Sequence, residues 1–381
     1  MNEVINLSCE TKFAEFFSKI NPMILHNGEA LNKVRVAYQT YGQLNSEGTN
    51  AILICHALTG NSHAAGILSK EESDRNSEPD LLKKYSKMFK GKPGWWDPVI
   101  GPDKVFDTNK YFVICPNILG SCYGTTGPVS INQESDKPFQ TDFPSVTVRD
   151  IVNLQKVLVD YLGVNKIKAV AGGSLGGMQA LEWGIMYPNV VESIIPIGTS
   201  AKHSAWAIGL GEAERLAIKN DPAWQNGFYN KQPRKGLSLA RQIAIISYRS
   251  FASFEEKFGR EKVNDSESFQ VMNYLDYQGQ KLVDRFDANT YLLLADTMDR
   301  HDIGLNRDKV ENVLGEIKPK TLAIGISSDI LYPTVEQKFL VDHIPNAKYA
   351  EIKSHHGHDA FLIEFDQLNK IIGEFLRSEN L

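Results

Sequence analysis

Five short runs of apolar residues, at 51–55, 111–115, 167–171, 193–197 and 321–326, each end in glycine-rich or polar positions. Apolar residues on consecutive rather than alternating positions are the pattern of parallel strands buried on both faces. Helical patterns lie between them. Over 147–162, Val148, Ile151, Leu154, Leu158 and Leu162 share one face, and Gly163 follows. Strands alternating with such helices predict an α/β fold with a mostly parallel, doubly wound sheet. Ahead of it, 33–41 and 51–55 flank the turn-rich 45–50, which suggests an antiparallel edge, and the charge-dense 69–92 reads as a surface excursion. From about residue 200 the alternation stops, and 200–306 has helical periodicity without convincing strands. The expected organisation is a core domain, 1–199 and 307–381, interrupted by a helical lid insertion, 200–306.

Composition adds mainly exclusions. A net charge of −5 and the lack of any Lys/Arg run argue against a nucleic-acid partner. No segment approaches the roughly 20 apolar residues of a membrane span. The first ten residues lack the basic start and apolar core of a signal peptide. Cys9, Cys55, Cys115 and Cys122 form no Cys-x-x-Cys pair, so reduced, structural thiols in a cytoplasmic protein are expected.

The chemistry begins at Gly172-Gly173-Ser174-Leu175-Gly176, a Gly-x-Ser-x-Gly run directly after one predicted strand, with a predicted helix over 179–187. In that context the motif is a nucleophile elbow. The serine sits on a strained strand-to-helix turn, and small residues at Gly172 and Gly176 permit close approach of strand and helix. A phosphate loop is disfavoured, because no Gly-Lys-Ser/Thr ending or Rossmann glycine spacing is present. A serine nucleophile needs a base and an orienting acid, which follow such an elbow in the order Asp/Glu then His. His343, His355, His356 and His358 follow the last strong strand, and His358, in a polar loop after the strand-like 348–352, is the best placed. Ligation of a metal by His355, His356 and His358 lacks any supporting motif, so no metal is expected. Asp329 follows the run 321–326, at the carboxyl end of a strand, whereas Asp296, Asp299 and Asp302 read as solvated helix charges. An oxyanion hole would use the backbone N–H groups of Leu175 and of Leu58, the latter in the loop after 51–55. His56 there reads as a structural loop histidine whose backbone matters more than its ring.

These residues lie in longer runs: His56-Ala57-Leu58-Thr59-Gly60, Gly94-Trp95-Trp96-Asp97, Cys115-Pro116-Asn117, Asp142-Phe143-Pro144, 172–183, and Gly357-His358-Asp359-Ala360-Phe361-Leu362. Together they resemble the α/β-hydrolase-fold homoserine O-acyltransferases of methionine biosynthesis over almost the whole chain. Leu175 and Thr125 stand where methionine and serine are common, and neither change removes a donor or a triad group. The resemblance implies an α/β-hydrolase fold and a ping-pong transfer. Ser174 would take an acyl group from acyl-CoA and pass it to the hydroxyl of L-homoserine. No permanently bound cofactor is implied, acetyl-CoA is a co-substrate, and a homodimer is expected. Asp359 matches the family's ammonium ligand and Arg241 its carboxylate ligand, with Tyr248 nearby. In a predicted helix over 239–254, Arg241 and Tyr248 share a face about 10 Å apart, although spacing alone equally fits a solvated arginine and a core tyrosine.

Donor identity turns on Leu331. Succinyl-using members carry an arginine two residues after the triad aspartate, and the apolar Leu331 at that position favours acetyl. The alternatives are a homoserine O-succinyltransferase, a serine O-acyltransferase, a carboxylic-ester hydrolase with the same triad, and a non-catalytic binding protein. The last of these would usually lack a triad member.

Overall fold

The computed structural model describes residues 8–69, 80–264 and 267–381. Its main sheet has eight strands: β1 (Lys12–Phe16), β2 (Val34–Tyr41), β3 (Ala51–Cys55), β4 (Phe112–Pro116), β5 (Ile167–Gly173), β6 (Ser193–Ile197), β7 (Lys320–Ile326) and β8 (Ala347–Ile352). In space they run β8-β7-β6-β5-β3-β4-β2-β1. Neighbours from β8 to β4 are parallel, and β2 and β1 close that side antiparallel. The antiparallel edge exists, but 34–41 does not pair with 51–55, because β4 lies between them. Every residue of β3 is buried, so this strand needs sheet on both sides and sits at the centre.

The helices are α1 (Asp80–Met88), α2 (Val148–Tyr161), α3 (Leu175–Met186), α4 (Ala205–Lys219), α5 (Arg234–Tyr248), α6 (Phe251–Phe258), α7 (Gln270–Val283), α8 (Ala288–Asp299), α9 (Val310–Gly315), α10 (Thr334–His343) and α11 (Phe365–Ser378). Thr147 and Asp150 form a capping box that starts α2, whose Val148, Ile151, Leu154 and Leu158 are buried as their spacing requires. Within 69–92, residues 70–79 lie outside the described residues. The remainder is not all surface, since α1 buries Leu82 and Tyr85, an i, i+3 pair that anchors an otherwise charged helix.

Helices α4 to α8, followed by the short α9, occupy the chain between β6 and β7. The expected single helix over 239–254 is two, because Arg249 turns extended after α5 and the Ser250 side chain caps α6 by accepting the Ser253 N–H. One apolar cluster joins these helices to the carboxyl ends of the strands, with Leu237, Tyr291 and Leu294 packed together with Leu58, Leu175 and Leu331. Among the described residues no helix is long and apolar enough to cross a membrane.

Candidate active site

Ser174 stands at the junction of β5 and α3 with φ 59° and ψ −125°, a positive φ that side chains rarely adopt. The helix begins at Leu175, four residues earlier than its hydrophobic pattern suggests. The turn is possible because neighbouring side chains are absent. A Cβ on Gly172 would lie 2.5 Å from the Cys55 carbonyl oxygen, and one on Gly176 only 2.1 Å from it. The Ser174 N–H donates to the Ile197 carbonyl at 2.9 Å, tying the turn to β6.

Asp329 follows β7 and is 5% exposed. Its Oδ1 accepts the N–H groups of Leu331 and Tyr332 at 2.8 and 2.9 Å, which fixes the carboxylate. Its Oδ2 accepts from His358 Nδ1 at 2.7 Å, leaving Nε2 as the basic nitrogen. Burial disfavours the charged imidazole, but the charge and hydrogen bond of Asp329, with the charge of Asp359, outweigh it and raise the His358 pKa above 6.5. Gly357, at φ +71°, lets the His358 loop lie against the end of α5, where a Cβ would come within 2.6 Å of the Tyr248 carbonyl oxygen. Ser250 Oγ donates to the His355 carbonyl and holds the same loop. Asp329 and His358 meet beside Gly198, the residue after the one whose carbonyl holds Ser174. A Cβ there would lie 3.4 Å from Asp329 Oδ2 and 3.5 Å from His358 Nδ1. Ser174 and His358 make no hydrogen bond among the described residues, a contact that commonly tightens only with substrate bound.

The Leu175 N–H opens α3 and has no acceptor within the helix. The loop after β3 is held at nearly every peptide. Gln179 donates to the His56 carbonyl at 3.2 Å, and Gly60 N–H to the Ala57 carbonyl at 2.9 Å. The His56 ring matters more than the sequence suggests. Its Nδ1 lies 2.8 Å from the Ala57 carbonyl and its Nε2 accepts the Ile118 N–H at 3.2 Å. Burial lowers its pKa to about 4, so it stays neutral and clamps two loops.

Arg241 and Tyr248 do share a face of α5, with the Arg241 guanidinium 5.5 Å from the Tyr248 ring centre. That ring lies 5.7 Å from the His358 ring. Burial raises the Tyr248 pKa, and Glu214, Arg241 and Asp359 all act on its hydroxyl, so charges of both signs surround it. Asp359 is not an isolated anion, since Arg249 Nε lies 3.3 Å from its Oδ2. Glu214 has no counterpart in the sequence reading. It is buried, accepts a 2.8 Å hydrogen bond from Tyr291, and desolvation raises its pKa to about 7. Its sequence surroundings in α4 read as ordinary helix charge. Asp299 also departs from the expected solvated charge, because it is partly buried and paired with Arg215 at 2.6 Å. Asp296 and Asp302 do pair near the surface, with Arg300 and Lys202.

A narrow cavity of about 30 Å³ touches Leu58, Glu214, Tyr248, Asp299, Leu331 and Tyr332. A much larger one, about 1010 Å³, lies away from the triad beside Arg35, Lys84 and Arg234. Proximity to the reactive groups, not size, marks the smaller one as the chamber of the site. Among the described residues no group of three or more His, Cys, Asp or Glu side chains is placed to hold a metal, and His355 faces Glu256 at 3.0 Å. All four cysteines are buried thiols, and burial raises the thiol pKa of Cys55, Cys115 and Cys122, which disfavours reactive thiolates. The arrangement as a whole can perform acyl transfer through a serine ester.

Comparison with known proteins agrees with this chemistry. The family described as alpha/beta hydrolase fold matches residues 50–365. The homoserine O-acetyltransferase of Nostoc punctiforme is 47% identical over 365 residues, 94% of each chain. The crystal structure of homoserine O-acetyltransferase from Bacillus anthracis superposes with a TM-score of 0.86 at 29% identity, covering 97% of this chain and 98% of that one. That of esterase E22 superposes with a TM-score of 0.83, also at 29% identity, covering 97% and 100%. The chain belongs to the homoserine O-acetyltransferase family of the α/β-hydrolase fold.

Proposed function

We propose that this chain transfers an acetyl group from acetyl-CoA, through an ester on Ser174, to the side-chain hydroxyl of L-homoserine. In the first half, His358 Nε2 takes the Ser174 proton as Oγ attacks the thioester carbonyl. The tetrahedral oxyanion is met by the N–H groups of Leu58 and Leu175, near the positive end of α3. Collapse expels the CoA thiolate, which receives the proton from His358. In the second half His358 deprotonates the homoserine hydroxyl, which attacks the acetyl-serine, and Ser174 recovers its proton. Asp329 holds the imidazole tautomer and stabilises the imidazolium in both halves.

The observation that carries the transferase reading is the set of ionisable groups around Tyr248, beside the His358 ring: the Arg241 guanidinium with the carboxyl groups of Glu214 and Asp359. An amino acid presents a carboxylate and an ammonium, and such a wall suits both, with Arg241 for the carboxylate. Asp359 takes the ammonium and exchanges part of its pairing with Arg249 for it. Leu331, in the narrow chamber, offers no cation to a distal succinyl carboxylate, so acetyl is the donor group. Residues 200–306 act as a lid over this chamber, and the protein works as a cytoplasmic homodimer with no permanently bound cofactor.

The similarity to esterase E22 favours a second reading, hydrolysis by the same triad. CoA release from acetyl-CoA and succinyl-CoA, each with homoserine, with serine or without acceptor, separates the readings. Acetyl-CoA with homoserine should be fastest. Serine, shorter by one methylene, should fall behind by about 1–3 kcal/mol in kcat/KM. CoA release that is equally fast without acceptor would make the protein a hydrolase.

A further inference from the structure

Arg285 lies between α7 and α8, yet its guanidinium ends on the loop after β3, 226 residues earlier. Its Nη1 donates to the Thr59 carbonyl at 3.0 Å and to the Tyr123 hydroxyl. Its Nε is buried without a hydrogen-bond partner, and both acceptors of its Nη1 are neutral oxygens. Burying a guanidinium costs desolvation, so its placement here calls for a role. Burial opposes its charge, and the facing Tyr123 and Tyr85 hydroxyls more than offset this.

The hydrogen bonds of the loop indicate that role. No peptide of the described residues is cis, so the carbonyl and N–H of each amide point in opposite directions. In the Thr59–Gly60 amide, Arg285 holds the carbonyl and the N–H donates to the Ala57 carbonyl. The Ala57 carbonyl, also held by the His56 ring, belongs to the amide whose N–H is that of Leu58. With the carbonyl pinned on one side, the Leu58 N–H is aimed to the other. Two successive amides therefore transmit the grip of Arg285 to the oxyanion donor, and chained amide hydrogen bonds polarise one another in the same direction.

We propose that Arg285 is a positioning residue for the oxyanion hole, a side chain of the helical segment that sets the direction of the Leu58 N–H. This rests on Leu58 as an oxyanion donor in the acyl transfer above. Each half-reaction places a tetrahedral oxyanion in the same hole, so both should suffer by a similar factor, whatever the leaving group.

The test compares the full-length parent with Arg285→Met and Arg285→Lys. Single-turnover acetylation of Ser174 is measured with acetyl-CoA and with p-nitrophenyl acetate, a small neutral donor, followed by deacetylation with homoserine. Arg285→Met should slow all three steps by a similar factor, on the order of 10²-fold, as for a displaced catalytic group. The KM values for acetyl-CoA and homoserine should stay near those of the parent. Arg285→Lys, which keeps a donor for Thr59, should recover most of the loss and guards against a Met variant that fails to fold. A loss seen with acetyl-CoA but not with p-nitrophenyl acetate would make Arg285 a ligand for the CoA phosphates and overturn the proposal. So would a rise confined to the homoserine KM, or both variants reacting at the parental rate. If the parent itself is not acetylated at Ser174, the acyl-transfer reading fails first.

Discussion

The carboxyl end of the sheet and the helical segment above it contribute to the site in different ways. On the sheet, Ser174 and Asp329 are fixed by short backbone contacts: Ser174 by its turn and the Ile197 carbonyl of the neighbouring β6, Asp329 by the N–H groups of Leu331 and Tyr332. On α4 to α8, Arg241, Glu214 and Arg285 are long charged side chains brought together by helix packing. On the proposed reading, the sheet provides chemistry common to serine esters in general, whereas the helices decide which molecules meet it. Damage to the sheet should therefore abolish both half-reactions, and damage to the substrate-facing side chains of the helices should separate them, whereas Arg285, which acts through the oxyanion loop, should slow both.

The largest effect should come from the sheet. Ser174→Ala should reduce turnover by a factor on the order of 10⁶, the scale for loss of a serine nucleophile, and should remove covalent labelling by acetyl-CoA. Asp329→Asn should lower kcat by a factor on the order of 10⁴ through the wrong imidazole tautomer. It should also move the pH profile. The base works only when neutral, and the His358 pKa is raised, so the acid limb of Ser174 acetylation should lie above 6.5. Removing the Asp329 charge leaves burial dominant and should shift that limb to lower pH. A limb that does not move would assign it to another group.

Substitutions at the substrate-facing helix residues should split the reaction. Arg241→Ala should cost homoserine use about 1.5–3 kcal/mol in kcat/KM while leaving Ser174 acetylation nearly intact. Equal loss in both halves would mean that Arg241 only supports the fold. The smallest effect is expected at the edge between the two regions. Leu331→Arg should narrow the preference for acetyl-CoA over succinyl-CoA without reversing it, since a full switch also needs room and supporting hydrogen bonds. A wild-type preference for succinyl-CoA would overturn the donor assignment and leave the triad standing.

The same division explains what the sequence makes legible. Buried strands such as 51–55 and 193–197, and the Ser174 turn, are written in contiguous residues, so apolar runs and glycine spacing suffice to find them. His358 and Asp329 follow from their order and from the strand ends they occupy. Strand neighbours are harder to read, because nothing local reveals that β4, some 60 residues later in the chain, inserts between β2 and β3. The α5–α6 break turns on one capping serine inside a continuous helical pattern. Glu214 and Arg285 carry no local signal, since each resembles an ordinary helix charge until packing buries it. Asp299 is illegible for the same reason: its partner, Arg215, lies on another helix.

The central claim is an acetyl group held on Ser174 and then surrendered to homoserine. Intact-mass and peptide mass spectrometry of the purified protein, first with acetyl-CoA alone and then after adding homoserine, tests it directly. The expected result is a single acetyl adduct on the Ser174 peptide that disappears on adding homoserine, with O-acetylhomoserine appearing in equal amount. An unmodified Ser174, or an adduct that water removes as fast as homoserine does, would contradict it.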